Sequence, residues 1–342
     1  MSNLLHDYFL SVFTKEIQDT IPAGEEVFQG EDDEKLRDIV TTRQVVEKEI
    51  EKIKKNKSPG PDQIYIGVLK ECKEALSGPL TSMFRKSVDT GYVPRLWKEA
   101  NVTPIFKKGD KSITANYRPI SLTSVVGKML ESIIARNIRD HLERHRLIND
   151  SQNGFTPGKS FPTNLWSFYN KIFEAVDQDE DYDVVYLDFS KAFDKVPHKR
   201  LLRKVAAHGI DGKLLKWISA WLSGRKQRVQ INGKKSDWGC VTSGVPQGSV
   251  LGPLLFIIYI NDLDSGISSE VSKFADDTKV GKIIRTDQDA RELQGDLDRF
   301  YDMARKWQME FNIGKCSVLC VGRINPLYNY SLNVTLIYRS SC

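Results

Sequence analysis

Two places in the chain set carboxylates at the end of an apolar run. Tyr182 to Leu187 is β-branched and aromatic and ends on Asp188. A second strand-like run closes on Phe274-Ala275 and is followed by Asp276-Asp277 and then by Val280 to Ile284. This second pattern predicts a β-hairpin with an acidic tip. Adjacent side chains on a strand point to opposite faces, so one aspartate can reach a site that its neighbour does not, whereas a tight tip lets both approach one cation. An Asp-Asp pair alone is compatible with a solvated turn; Asp188 is what gives it meaning. If the two strands are neighbours in one sheet, the carboxylates at their ends repel and shift each other's pKa. Divalent cations remove that conflict. Mg2+ takes one or two protein carboxylates and completes its shell with water and phosphate oxygens. Two such ions about 3.5–4 Å apart can activate an attacking oxygen and stabilise a leaving one. These residue types point to metal-assisted phosphoryl transfer.

The elements that must position them can be read in the same way. Val102 to Asp110 reads as a strand ending in a basic turn with Lys107 and Lys108, and Asn116 to Leu122 as the returning strand. Pro119 suits an edge position there. Lysine and arginine brought close across such a hairpin would make a phosphate site, with a charged surface hairpin as the alternative. Arg225, Lys226, Arg228, Lys234 and Lys235 cluster around a second hairpin, Arg228 to Ile231 with Asn232-Gly233 as its turn. Gly244 to Ser249 is a glycine-rich turn opening an apolar helix over 250–262. Apolar spacing predicts helices over 4–18, from Thr42 through Val46, Ile50 and Ile53, within 63–98, and over 124–146, 163–178, 199–223 and about 290–307. Trp217 and Trp221, four residues apart, read as core. A last strand is expected over 315–322.

With 342 residues, 40% hydrophobic and 28% charged, the chain can bury more than one core. A net charge of +5 is compatible with a polyanionic partner. Five cysteines, an odd number, argue against a disulfide framework, and Cys316 and Cys320 lack nearby histidines that would make a metal site. Leu4 to Phe13 is interrupted by His6 and Asp7 and has no basic leader, so no signal peptide is expected. Val250 to Ile260 is about half a membrane span and contains Gly252 and Pro253, so no membrane partner is expected.

Phe274-Ala275-Asp276-Asp277 resembles the catalytic box of reverse transcriptases, and the match is closest to non-LTR (LINE-type) retrotransposons of the jockey and chicken-repeat groups. The resemblance has many parts, in order: the Lys57–Asp62 turn, Pro104–Asp110, Asn116–Leu122, Gln152–Lys159, Asp188–Asp194, Gly244–Ser249, Phe274–Asp277 and Trp307–Lys315. Lys159 and Phe161 depart mildly from it, standing where arginine and a small residue are commoner.

The resemblance implies an α+β right-hand polymerase fold: an N-terminal helical extension over 1–60, fingers over 61–180, a palm over 181–325 and a short tail over 326–342, with the reverse transcriptase domain at about 100–325. No endonuclease domain is expected before residue 1. Ser331 to Cys342 is not expected to continue into a thumb, so fingers and palm alone are implied. Asp188, Asp276 and Asp277 are implied as catalytic residues and ligands of two Mg2+ ions, or of Mn2+. Lys107 and Arg118 are implied as a triphosphate clamp, Phe193 as a steric gate against a ribose 2′-hydroxyl, and Gln247 as a residue lying on the incoming dNTP. Lys315 is implied as general acid for pyrophosphate. The partners implied are an RNA template, a DNA primer or target DNA, and dNTPs, with work at nuclear DNA on an RNA that passes through the cytoplasm. The function implied is RNA-directed DNA polymerisation. The rivals are a truncated, inactive remnant that only binds nucleic acid and an unrelated aspartate-metal hydrolase.

Overall fold

A computed structural model describes residues 1–54, 58–156 and 158–339. Lys57 of the Lys57–Asp62 turn, Pro157 of the Gln152–Lys159 segment and residues Ser340 to Cys342 of the tail lie outside the described residues. In chain order the helices are α1 (Ser2–Ser11), α2 (Arg43–Lys52), α3 (Ile66–Glu71), α4 (Lys73–Thr90), α5 (Arg95–Lys98), α6 (Val125–Arg144), α7 (Phe161–Asp177), α8 (Ala192–Lys195), α9 (His198–Ala207), α10 (Gly212–Leu222), α11 (Gly252–Tyr259) and α12 (Asp287–Lys306). The strands are β1 (Glu99–Phe106), β2 (Tyr117–Thr123), β3 (Asp181–Leu187), β4 (Lys226–Ile231), β5 (Lys234–Lys235), β6 (Gly239–Cys240), β7 (Glu270–Phe274), β8 (Asp277–Ile284), β9 (Ser317–Val321), β10 (Ser331–Leu332), β11 (Thr335–Leu336) and β12 (Tyr338–Arg339). Side-chain caps start several helices where the sequence provides them. Thr42, Ser124, Ser160 and Thr286 each accept a backbone N–H of the first turn, at α2, α6, α7 and α12.

The chain divides into two units. The first comprises Met1–Leu147 and Phe193–Ile258, the second Ile148–Ala192 and Tyr259–Cys342. The first unit holds a mixed sheet in the order β2-β1-β4-β5, with β6 also paired to β4. β1 runs antiparallel to β2 and parallel to β4. Pro119 lies on β2, an edge strand, where its missing N–H costs no ladder bond. Leu5 and Phe9 of α1 bury against Val102, Tyr117 and Val229 of this sheet. The second unit holds the sheet β12-β9-β3-β8-β7, antiparallel except for β12 on β9. β3 is its central strand, and Phe168, Ile172 and Ala175 of α7 pack on Tyr182 and Val184. Both sheets fit the expected α+β class.

Three helices differ from their sequence expectation, and distant groups hold the chain at each point of difference. The helix predicted over 4–18 ends at Ser11. Beyond it, Thr14 N–H donates to Ser243 Oγ, and the Glu16 carboxylate accepts from the N–H groups of Lys199 and Arg200 at the start of α9. The predicted helix over 199–223 is two helices: Gly209 turns the chain at φ +76°, the Asp211 side chain caps the second helix, and Leu36 bridges the break, its N–H donating to Gly209 O and its carbonyl accepting from Asp211 N–H. α11 is shorter than 250–262. The buried carboxylate of Glu131 takes the N–H groups of Val250 and Leu251 before it. The carbonyls of Ile260 and Asn261 after it accept from the Lys273 ammonium. Trp217 and Trp221 are core as expected, each 1% exposed. Arg225, however, is buried and leaves the predicted basic cluster: its guanidinium donates to Trp221 O, and burial, partly offset by Glu131, draws it down to about 10. Among the described residues no helix is long and apolar enough to cross a membrane, and Cys72, Cys240 and Cys316 form no disulfide.

Asp296 of α12 fixes the start of the second unit's hairpin. Its carboxylate is fully buried and accepts the N–H groups of Ser268 and Ser269 and the Ser268 hydroxyl. Burial would raise its carboxyl, but these bonds outweigh burial and hold it below its usual 3.8. A carboxyl depressed in the folded state stabilises above its unfolded value, and that contribution is lost as pH falls through the folded one. Asp296→Asn should cost about 2 kcal/mol at neutral pH and flatten the fall of stability below the ordinary carboxylate range, as read by urea denaturation across pH.

Candidate active site

The pairing register of the second unit brings the predicted aspartates to one end of its sheet. β3 and β8 pair antiparallel from Asp181↔Ile284 to Leu187↔Thr278, so Asp188, which follows Leu187, and Asp277, which precedes Thr278, lie at the same end of the ladder. β7 and β8 join through a two-residue turn, Ala275-Asp276, closed by Phe274↔Asp277. The acidic tip is therefore displaced by one residue from expectation. Asp276 lies in the turn, while Asp277 is the first residue of β8, which begins there rather than near Val280. Asp277 is exposed, and Asp188 and Asp276 are half-buried. Ala275 adopts φ +56°, a left-handed conformation uncommon for a residue with a Cβ.

Lys315, at the end of a short 3-10 turn before β9, sets its ammonium 3.0 Å from Asp188 Oδ2. The loop after Asp188 is tied back to the same end: Asn312 N–H donates to Asp188 O, Ser190 N–H to Glu310 O, and the Phe189 and Phe311 rings stack at 4.4 Å. Among the described residues no three histidine, cysteine or acidic side chains converge closely enough to hold a metal ion. The oxygen-only, partly exposed donors still suit a hard cation such as Mg2+, which needs one or two carboxylates and fills its other positions with water and phosphate. A cation, the Lys315 ammonium, already sits on one of them.

Residues to which the sequence reading gave no role of their own hold the hairpin in place. Lys273 of β7 is fully buried, and its ammonium donates to Asp264 Oδ1 at 2.6 Å and to Asn261 O at 3.0 Å. Burial draws Lys273 below its usual range, opposed by Asp264. Burial would push the Asp264 carboxyl up, but Lys273, Ser151 and Asn149 hold it below its usual range. Gln152 is also fully buried, and Oε1 accepts from the N–H groups of Gly154 and Ala275. A lysine one residue before an apolar-acidic box was the available signal for the first. Nothing in local spacing announces the second.

The remaining predicted residues belong to the first unit. Lys107 follows β1 and Arg118 lies on β2. Arg118 pairs with Ile105 and Lys107 N–H donates to Asn116 O, so the two basic residues are diagonal neighbours on one face of the hairpin, both exposed. The Gly244–Ser249 turn docks on β2 through Ser121 N–H to Gln247 O at 2.7 Å. It also docks on residues 193–196, through Val245 N–H to Phe193 O and Gly244 N–H to Val196 O. Gly244 (φ +83°) leaves no room for a Cβ, which would fall 2.5 Å from Asp194 O. Gln247 Nε2 donates to both carboxylate oxygens of Asp194 at 3.0 Å. The half-buried Phe193 ring stacks on Phe256 at 4.3 Å.

Residues 105–335 match the family model described as reverse transcriptase (RNA-dependent DNA polymerase). The RNA-directed DNA polymerase from mobile element jockey of Drosophila funebris is 33% identical over 82% of the chain and 31% of its own length. The probable RNA-directed DNA polymerase from transposon X-element of Drosophila melanogaster is 32% identical over 78% of the chain and 30% of its own length. The jockey polymerase of Drosophila melanogaster is 30% identical over 86% and 33%. The chain thus spans about a third of the length of these relatives. Matched by that model over most of its length, and similar to polymerases of non-LTR elements in the way its motifs implied, the chain belongs to the reverse transcriptase family.

Proposed function

We propose that this chain is a polymerase core that extends a DNA primer along an RNA template, with Asp188, Asp276 and Asp277 as its metal-binding carboxylates. What supports the reading is the register that ends at Leu187↔Thr278, next to Asp188 and Asp277, with Asp276 in the adjoining turn. Bound Mg2+ or Mn2+ would activate the primer 3′-hydroxyl for attack on the α-phosphate and stabilise the departing pyrophosphate. Lys107 and Arg118 bind the triphosphate, with the arginine fork suited to two phosphate oxygens at once. Lys315 delivers a proton to pyrophosphate from its position beside Asp188. Asp194 orients the Gln247 amide toward the nucleotide. Phe193, braced by Phe256, excludes a 2′-hydroxyl. On this reading the palm is the second unit's sheet, whose strands β3 and β7 to β9 fall within 181–325, and the fingers lie within 61–180. RNA template, primer or target DNA and dNTPs are the partners it requires.

Primer extension on an RNA template with dNTPs and Mg2+ tests this. The purified chain should extend the primer, and Asp276→Asn should lower the rate by at least about 100-fold; equal rates would remove Asp276 from the site. Salt-sensitive binding of the duplex with no extension would favour the binding-only remnant. Phe193→Val should raise the incorporation of ribonucleotides relative to deoxynucleotides by about 10–100-fold, measured as a ratio of kcat/KM values.

A further inference from the structure

The turn that carries Asp276 is not self-sufficient. It holds Ala275 in the left-handed region, and Ala275 is only 5% exposed, so its N–H must find a partner inside the protein. That partner comes from a loop more than a hundred residues away in sequence. Lys273 N–H donates to Ser151 O and Asn153 N–H to Lys273 O, both at 2.8 Å, which lays residues 151–153 beside β7 as a short parallel bridge. The bridge delivers Gln152 Oε1 to 2.8 Å from Gly154 N and 3.1 Å from Ala275 N. Gly154 lets the loop come this close: a Cβ there would lie 2.4 Å from Ala275 N. The other end of the same amide, Nε2, is buried and has no hydrogen-bond partner among the described residues. A buried amide with an orphaned donor is costly where an apolar side chain of similar size would leave no orphan. The side chain is held there for its oxygen.

We infer that Gln152 is a positioning residue for the catalytic carboxylates: it fixes the left-handed Ala275 and thereby sets where Asp276 and Asp277 present their oxygens. The inference rests on the polymerase reading for its consequence in catalysis, but the clamp itself can be read without activity. Gln152→Met keeps the length and removes the acceptor. Ala275→Gly adopts positive φ without the Cβ penalty and so relieves the need for the clamp.

Gln152→Met should lower kcat and raise the Mg2+ concentration for half-maximal extension, each by about 10–100-fold, as for other groups that orient metal ligands. KM for dNTP should stay within about twofold, because no triphosphate-binding residue is touched. Amide exchange of the 270–279 peptide should accelerate while peptides from the first unit keep their rates. Adding Ala275→Gly to Gln152→Met should recover much of the lost kcat and Mg2+ response. Unchanged Mg2+ dependence and unchanged exchange at 270–279 would overturn the inference. So would a loss accompanied by faster exchange throughout the chain and not relieved by Ala275→Gly, which would mark Gln152 as a general core residue. If the parent chain extends no primer, the polymerase reading fails on its own. The exchange comparison of Gln152→Met with and without Ala275→Gly still decides whether the clamp exists.

Discussion

The pairing of β3, β7 and β8 brings Asp188, Asp276 and Asp277 to one end of the second unit's sheet, and carboxylates brought close together repel one another. The ladder between β3 and β8 ends at Leu187↔Thr278, the residues next to Asp188 and Asp277. Several buried groups restrain the β7–β8 hairpin from outside. The buried Lys273–Asp264 pair ties β7 to residues 260–264, and Asn149 and Ser151 donate to the same Asp264. Asp296 pins residues 268–269. Gln152 fixes the turn, and Lys315 supplies positive charge to Asp188. Breaking a buried ion pair by removing one partner is severe, on the order of 3–5 kcal/mol, so the Lys273 ammonium is a structural part of the hairpin.

The first unit solves a different problem, presenting exposed positive charge on a surface that will not collapse. Lys107 and Arg118 sit on the β1–β2 hairpin, which is stiffened by antiparallel pairing along its whole length and by α1 packed on the same sheet. The Gly244–Ser249 turn is held through backbone bonds to Ser121, Phe193 and Val196, so Gln247 is placed by main chain and oriented by Asp194. Glu131 anchors the residues that follow that turn while also accepting from Trp221 Nε1.

Much of this was legible in the amino-acid order. Apolar strands ending on Asp188 and Asp276-Asp277, an edge proline in the basic hairpin, and the buried tryptophan pair all follow from periodicity and from what each side chain tolerates. What was not legible is long-range. Nothing near residue 152 says that its amide will serve a turn at residue 275. Nothing near Arg225 says that the guanidinium will be buried beneath Trp221 rather than join the basic patch. The one-residue displacement of the acidic tip depends on Ala275 accepting a positive φ, which local propensity disfavours and which the Gln152 clamp permits. The break between α9 and α10 is marked locally by Gly209 and the Asp211 cap, but its bridge to Leu36, more than 160 residues earlier in the chain, is not.

The central claim is that the strand-end carboxylates bind a divalent cation. Its most direct test is a Mn2+ titration of the purified chain, followed by the loss of the free-ion paramagnetic signal, with Asp188→Asn and Asp276→Asn measured beside it and circular dichroism confirming that all three are folded. The account predicts Mn2+ uptake by the parent chain that tightens when a dNTP is added and weakens at least about 10-fold in either variant. Equal Mn2+ affinity in the parent chain and both folded variants would contradict it.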